Sequence, residues 1–169
     1  MKMQRVVDVK MKRLMFLFLM IMSVISLGGC QEETVKEQDL KSFITEYKKI
    51  IYTADAQNSE ENTTLLKEVE PYMSKEIFEK NKINGVFDFP QRFAKENQKN
   101  IKLHDVIIDS IQEAPEDNSY KINYTLLVMI GDEQIEKAGE MTIQAEDGHK
   151  FLIIYDWESP VTVDNKKFL

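Results

Sequence analysis

The sequence predicts an α+β domain in which helices come first and an antiparallel sheet follows. Up to residue 94 the apolar residues recur at the spacing of an α-helix, and from Asn100 onward they alternate along the chain. Because the two periods occupy separate parts of the chain, an α+β fold is favoured over alternating βαβ units. The chain has 169 residues. If its first 29 residues are a leader segment, the remaining residues are enough to form one domain.

The first predicted element is one long amphipathic helix. Thr34 followed by Glu37 fits a capping box at its start. Its apolar stripe comprises Leu40, Phe43, Ile44, Tyr47, Ile50, Ile51 and Ala54. Its predicted solvent face carries Lys41, Glu46, Lys48 and Lys49. We therefore expect this helix to lie with its apolar stripe against a sheet.

Three shorter helices are predicted between the long helix and the sheet. Pro71 stops the first of them, because proline lacks the backbone donor that a helix interior needs. Ser74 can cap the second, which ends at Asn84-Gly85. Pro90 fits the first turn of the third.

Four strands are predicted after Asn100. They cover Ile101–Gln112, Tyr120–Ile130, Ile135–Ala145 and Phe151–Trp157. Asp147-Gly148 between the last two is a hairpin signal, and Gly139 within the third indicates a possible β-bulge. Short connections of this kind predict a four-stranded antiparallel meander on which the helices pack.

The first 30 residues have the three parts of an export signal. A basic region holds Lys2, Arg5, Lys10, Lys12 and Arg13, and an uncharged apolar run covers residues 14–25. Leu27-Gly28-Gly29-Cys30 then ends the segment, and Cys30 is the only cysteine of the chain. This arrangement resembles the lipobox of bacterial lipoproteins. The resemblance implies cleavage before Cys30 and a lipid on its thiol, which would hold the protein on the extracytoplasmic face of the cell membrane.

Two other interpretations of the leader fit less well. An uncleaved anchor needs about 20 apolar residues to cross a bilayer, more than this run offers. In a secreted protein without a lipid anchor, a single cysteine could not form an internal disulfide, so its thiol would have no structural role. The lipoprotein interpretation divides the chain into a signal peptide (1–29, with Met11 as an alternative start), a lipidated tether (30–33), a single domain (34–160) and a C-terminal tail (161–169).

The charge balance of the part after the signal excludes one class of partner. Residues 1–29 hold five of the 22 Lys and Arg residues and one of the 29 Asp and Glu residues. Residues 30–169 therefore carry 17 basic and 28 acidic residues, a formal charge of −11. Such a balance argues against a nucleic-acid partner.

The order and length of the elements over residues 34–158 resemble the cystatin-like cone fold of nuclear transport factor two and the SnoaL-like proteins. That resemblance rests on the helices followed by a meander and on no signature motif. It implies a curved sheet that encloses a cavity with the long helix. The group includes enzymes, ligand-binding domains and assembly domains of bacterial envelopes, so the fold leaves the activity open.

Motifs for catalysis and cofactor binding are absent from the sequence. There is no Gly-rich phosphate loop, no H-E-x-x-H and no G-x-S-x-G. His104-Asp105 is the only adjacent His/acid pair, and strand neighbours point to opposite faces unless a bulge intervenes. Two distant histidines and a lipidated cysteine do not form a metal site. We predict no catalytic residue, no metal and no cofactor.

Aromatic residues form the one candidate ligand site apart from the lipidated Cys30. In a cone fold, Tyr47, Tyr124, Tyr155 and Trp157 would face the cavity, where their polar atoms could hold a ligand. On this interpretation Asp156 lies on the opposite face of the last strand. The alternative is that these aromatic side chains simply fill the core.

The sequence therefore predicts a membrane-anchored envelope lipoprotein that is not an enzyme and that binds another envelope protein. Two alternatives stay open. One is a ligand-binding or enzymatic cone-fold domain with a pocket lined by Tyr and Trp. The other is an accessory subunit of a conjugation or secretion apparatus, in which cone-fold domains recur.

Overall fold

The computed structural model of the protein describes residues 32–57, 62–146 and 150–168. The predicted signal peptide, Cys30 and the Asp147-Gly148 turn lie outside the described residues. The chain forms two compact units whose boundary in the sequence lies between Gln38 and Asp39. The fold described below is that of the second unit, which begins at Asp39.

The helices precede the four long strands of the sheet, as the sequence predicts, and one two-residue strand follows the first helix. They are α1 (Glu32–Ile51), α2 (Asn62–Val69), α3 (Lys75–Ile83) and α4 (Phe89–Asn97), with a short 3₁₀ turn at Glu70–Tyr72. The strands are β1 (Thr53–Ala54), β2 (Ile101–Ala114), β3 (Ser119–Ile130), β4 (Glu133–Glu146), β5 (Lys150–Glu158), β6 (Val161–Val163) and β7 (Lys166–Phe168). A second 3₁₀ turn, Pro115–Asp117, joins β2 to β3.

Local sequence signals explain most of the helix ends. The Ser74 side chain accepts a hydrogen bond from the Ile77 backbone N–H at 3.4 Å and caps α3. Gly85 follows the end of α3 with a positive φ of 66°, a conformation that glycine adopts without strain. Pro90 lies in the first turn of α4. The predicted capping box is wrong, because α1 begins at Glu32 and Thr34 is already inside it.

The main sheet is antiparallel, and its strand order is β1-β2-β3-β4-β5. The predicted meander is therefore present as β2 to β5, and β1 extends it at one edge by pairing Ala54 with Ile101. β5 forms the opposite edge. The chain before α3 covers part of that edge, since the Ser74 N–H donates to the Ile153 carbonyl oxygen at 2.9 Å.

The core lies between α1 and the concave face of the sheet. Its largest wholly buried apolar and aromatic side chains are Leu40, Ile44, Tyr47, Phe87, Ile101, Ile122, Tyr124, Leu126, Ile130 and Phe168. Gly139 does not mark a bulge, because its pairing with Tyr124 is regular. A Cβ built at Gly139 would come within 2.3 Å of the Tyr124 ring, so glycine is needed here to make room for that ring.

Residues 161–168 do not form the predicted tail. β6 and β7 pair as a separate two-stranded sheet, turned by Asp164 and Asn165, which both have positive φ. The Phe168 ring is fully buried, with its centroid 4.9 Å from that of Phe93 and 5.4 Å from that of Phe89. This hairpin is therefore part of the domain, held by the aromatic side chain near its end.

Within the part of the chain that the structure describes, no helix combines the length and the apolar character that crossing a membrane requires.

Candidate functional site

The last strand of the main sheet turns two carboxylates into the domain. Pairing between β4 and β5 is interrupted, because Thr142 lies opposite Tyr155 whereas Ile143 lies opposite Ile153. Ile154 is the extra residue of this β-bulge, and the alternation of side chains is reversed after it. Asp156 and Glu158 consequently face the core, with side chains only 9% and 13% exposed.

The same reversal leaves the side chains of two predicted ligand-binding residues largely exposed. Tyr155 is 43% exposed and Trp157 is 51% exposed. Neither side chain is enclosed between the sheet and α1, but Trp157 borders the smaller of the two cavities described below. Asp156 was predicted on the outer face, and it lies inside for the same reason.

Lys48 of α1 meets the two inward carboxylates. Its Nζ lies 2.8 and 2.7 Å from the two oxygens of Asp156 and 2.6 Å from Oε1 of Glu158. The Lys48 side chain is 1% exposed, so its predicted position on the solvent face is wrong. Lys48 lies four residues after Ile44. Residues at this spacing share one face of a helix, so Lys48 is on the side of α1 that contacts the sheet.

Three tyrosines complete the hydrogen bonds of these carboxylates. The Tyr124 hydroxyl donates to Oδ1 of Asp156 at 2.8 Å, and the Tyr47 hydroxyl donates to Oδ2 at 3.0 Å. The Tyr52 hydroxyl donates to Oε2 of Glu158. Tyr47 and Tyr124 are fully buried, so the structure brings these two predicted site residues together, against a carboxylate of the protein.

A second buried lysine lies on the other side of Glu158. Lys137 of β4 is fully buried, and its Nζ lies 3.4 Å from Oε2 of Glu158 and 5.1 Å from the centroid of the Phe168 ring. Its Nζ makes no hydrogen bond within the described residues. Lys137 belongs to the inward row of β4 with Ile135 and Met141, so strand alternation alone could have located it.

These four ionised groups and three tyrosines form what we call the buried charge cluster. Its members are Lys48, Lys137, Asp156, Glu158, Tyr47, Tyr52 and Tyr124. Two ammonium groups face two carboxylates, so the cluster carries no net charge when all four are ionised. Such compensation is what allows charges to remain in a protein interior.

The pKa shifts within the cluster follow from burial and from the facing charges. Burial alone lowers the pKa of Lys48, but Asp156 and Glu158 outweigh that effect and raise it above 10.5. Burial raises the pKa of Glu158, but Lys48 and Lys137 outweigh it and bring the pKa below 4.5. For Lys137 burial prevails, and its pKa falls below 10.5 despite the nearby Glu158.

The tyrosines of the cluster are held in their neutral form. Burial, and then the neighbouring carboxylates, raise the pKa of Tyr47, Tyr52 and Tyr124 well above 10.0. Asp156 accepts four hydrogen bonds, two from Lys48 and one each from Tyr47 and Tyr124. A carboxylate with all its acceptor positions engaged cannot take a proton from a substrate without losing one of these bonds.

A cavity of about 260 Å³ opens beside the cluster. Its inner wall includes Lys48, Tyr52, Asp156 and Glu158, and its outer wall includes Val86, Phe89, Arg92 and Trp157. A larger cavity of about 690 Å³ lies between α1, α2 and α4, with Ile50, Leu65, Tyr72 and Arg92 among its walls. Arg92 therefore stands between the two cavities.

The other candidate residues lie apart from this site. A bulge in β2 falls at His104, whose side chain is exposed, and Asp105 forms an ion pair with Lys41 at 3.7 Å on the surface. Among the described residues no group of His, Cys, Asp and Glu could hold a metal ion. Cys30, the predicted lipidation site, lies outside the described residues.

Comparison with known proteins identifies the fold. Neither a protein-family model nor a curated protein sequence matches the chain. Solved structures do match. One is the Ntf2-like, potential transfer protein TraM from the Gram-positive conjugative plasmid pIP501, with 9% identity and a TM-score of 0.51 over 76% of this chain and 99% of that one.

Two further structures match to a similar degree. An IcmL-like type IV secretion system protein from Legionella pneumophila is 15% identical, with a TM-score of 0.52 over 80% of this chain and 97% of its own. The periplasmic domain of DotI is 11% identical, with a TM-score of 0.52 over 79% of this chain and 99% of its own. At these identities the likeness concerns the fold alone. The described domain has the NTF2-like, or cone, fold that the order of its elements predicts.

Proposed function

We propose that the protein is a lipid-anchored accessory domain of a conjugation or type IV secretion apparatus, located on the extracytoplasmic face of the cell membrane. It acts by binding another envelope protein and not by catalysis. The observation that carries this proposal is the coverage of the fold matches. The domain corresponds to 97–99% of the chains of three solved structures: the potential transfer protein TraM of a conjugative plasmid, an IcmL-like type IV secretion system protein and the periplasmic domain of DotI.

The leader supports the membrane part of the proposal. Leu27-Gly28-Gly29-Cys30 has the lipobox pattern, and the first described helix begins only two residues after Cys30. A tether that short would keep the domain close to the membrane surface. The formal charge of −11 on residues 30–169 favours a basic protein partner over the anionic lipid itself.

The chemistry of the interior supports a binding role. The charges of the cluster are compensated and Asp156 has its acceptor positions engaged. A catalytic acid or base would need to exchange its proton with a substrate. The cluster is better suited to fixing the position of α1 on the sheet, which would hold the outer surface in one shape for a partner.

The anchor is tested by replacing the thiol. We expect Cys30→Ala to lose incorporation of a labelled fatty acid and to leave the membrane fraction or remain as uncleaved precursor, because only the thiol accepts the lipid. Gln31→Ala is the matched control, since it changes the neighbouring residue and keeps the thiol. Equal labelling of Cys30→Ala and wild type would contradict the anchor.

The apparatus is tested in the host cell. We expect deletion of the gene to reduce transfer of the mobile element or secreted substrate encoded beside it, and the wild-type gene to restore transfer. Complementation with Cys30→Ala should fail if the anchor is required. Unchanged transfer in the deletion strain, or a gene that stands among unrelated genes, would argue against this role.

A further inference from the structure

The smaller cavity has the composition of a ligand site, and Trp157 is the one member of the predicted ligand-binding set that lines it. Its volume of about 260 Å³ lies just below the range of about 300–1,000 Å³ that is usual for small-molecule sites. One wall is apolar and partly aromatic, with Val86, Phe89 and Trp157. Val86 and Trp157 are 43% and 51% exposed, so their apolar surface is accessible to a ligand.

The guanidinium of Arg92, on the wall of this cavity, has hydrogen-bond donors available for a ligand. Arg92 is the only arginine after residue 13 of the chain. No ion pair within the described ranges includes its guanidinium, which lies 5.8 Å from the centroid of the Phe89 ring. A guanidinium positioned over an aromatic ring keeps its in-plane N–H groups free, and these match the two oxygens of a carboxylate.

The other polar groups of the cavity do not compete for Arg92. Asp156 and Glu158 are already bound by Lys48 and Lys137 and by the tyrosines. The charges of the buried cluster compensate one another, and the Arg92 guanidinium forms no ion pair within the described residues, so it can meet an added anion. Asn81 and Asn84, also on the wall, make no side-chain hydrogen bond within the described part of the chain, so they can orient a polar ligand.

We propose that this cavity binds an organic carboxylate with a flat apolar body. The guanidinium of Arg92 takes the carboxylate, and Phe89, Val86 and Trp157 pack against the body. The volume admits one aromatic ring with its carboxylate. Such a group occurs in free aromatic acids and at the end of a protein chain that finishes in an aromatic residue. This proposal does not depend on the apparatus to which the protein belongs.

The single tryptophan provides the measurement. Trp157 is the only tryptophan of the chain and lies on the cavity wall, so its fluorescence reports occupation of the site directly. The full chain is titrated in detergent micelles with benzoate and with benzamide, which differ in the carboxylate. Acetyl-Gly-Phe with a free C-terminal carboxylate and its C-terminal amide form the second pair, which represents a protein end.

We expect a saturable change with at least one carboxylate and weaker binding of the matched amide. Arg92→Gln should weaken carboxylate binding by about 10- to 100-fold, as for loss of a charge-assisted bidentate contact. Arg92→Lys keeps the charge without the planar fork and should fall between Arg92→Gln and wild type. Lys95→Gln, an exposed change on the same helix, should bind like wild type.

The pattern of binding also identifies the source of the carboxylate. Saturation by benzoate alone indicates a free acid, and saturation by the peptide alone indicates a protein end. Both results support the site. Equal affinity for acid and amide, an unchanged affinity in Arg92→Gln with a wild-type circular dichroism spectrum, or no response to any of the four probes would overturn it.

Discussion

The part of α1 that follows Asp39 packs against the sheet by two different physical means. Residues 40–44 are apolar at the contact, with Leu40 and Ile44 fully buried and the Phe43 ring centroid 5.5 Å from that of Phe151. One turn later the contact is charged, because Lys48 binds Asp156 and Glu158. We call these the apolar half and the charged half of the contact.

The difference lies in directionality. Apolar burial stabilises by roughly 25 cal/mol per Å² whatever the angle of contact, so the apolar half tolerates small shifts of the helix. The charged half does not, because an ammonium that shifts by one residue loses its carboxylates and remains unpaired in the interior. The apolar half therefore supplies attraction, and the charged half selects the register of α1 on the sheet.

The largest expected effect comes from removing a carboxylate of the charged half. Asp156→Ala should lower the free energy of unfolding by about 3–5 kcal/mol, because it leaves two buried ammonium groups facing the single carboxylate of Glu158 and two tyrosine hydroxyls without their acceptor. Ile44→Val in the apolar half should lower it by only about 0.5–1.5 kcal/mol. Urea unfolding of the full chain measures both, and similar losses would refute the distinction.

The two buried lysines should respond differently to the same substitution. Lys48→Met should destabilise by about 3 kcal/mol, because Asp156 then has no cation. Lys137→Met should stay within about 1 kcal/mol of wild type, because the Lys137 Nζ makes no hydrogen bond within the described residues and methionine fills a similar volume. A larger loss for Lys137→Met than for Lys48→Met would show that the balance of charges, and not the hydrogen bonds, stabilises the cluster.

A matched pair of tyrosines tests the reversal of β5. Tyr124→Phe removes a hydroxyl that donates to Asp156 and should cost about 1.5–3 kcal/mol. Tyr155→Phe removes a hydroxyl from a side chain that is 43% exposed and should change stability by less than about 0.5 kcal/mol. If both variants lost the same free energy, Tyr155 would face the core and the bulge at Ile154 would be misplaced.

The smallest expected effect is the contribution of Glu158 to the loss of stability at acidic pH. Its pKa in the folded protein lies below 4.5, so the folded state binds fewer protons than the unfolded chain just below that pH. The stability that Glu158 contributes is therefore present above 4.5 and is lost as the pH falls through the lower, folded value. Glu158→Gln should make the unfolding midpoint less dependent on pH in that range. A steeper dependence in the variant would reverse the assigned direction.

Much of the architecture could be predicted from periodicity. The change from helical spacing to alternation near Asn100 locates the sheet, and Ser74 and Pro90 mark helix starts because their effects are local. Phe168 shows the limit of such signals. A three-residue strand has too little pattern to be recognised, and only contact with Phe89 and Phe93 shows that it belongs to the core.

The site was harder to predict because its members are far apart in the chain. Lys48 and Asp156 are separated by 108 positions, and each taken alone resembles an exposed charge. Lys137 is the exception. It stands at an inward position of a strand whose alternation is clear, and that position is an available sequence signal for a buried cation.

The sequence by itself determined the order of the elements, the meander and the lipobox pattern, because each depends on neighbouring residues or on a regular period. Only the tertiary structure decided which face of β5 points inward after Ile153. One extra residue at Ile154 reverses every later side chain, and Ile154 fits either face. The choice is made by Lys48 on α1, whose ammonium is stable in the interior only if Asp156 and Glu158 turn toward it.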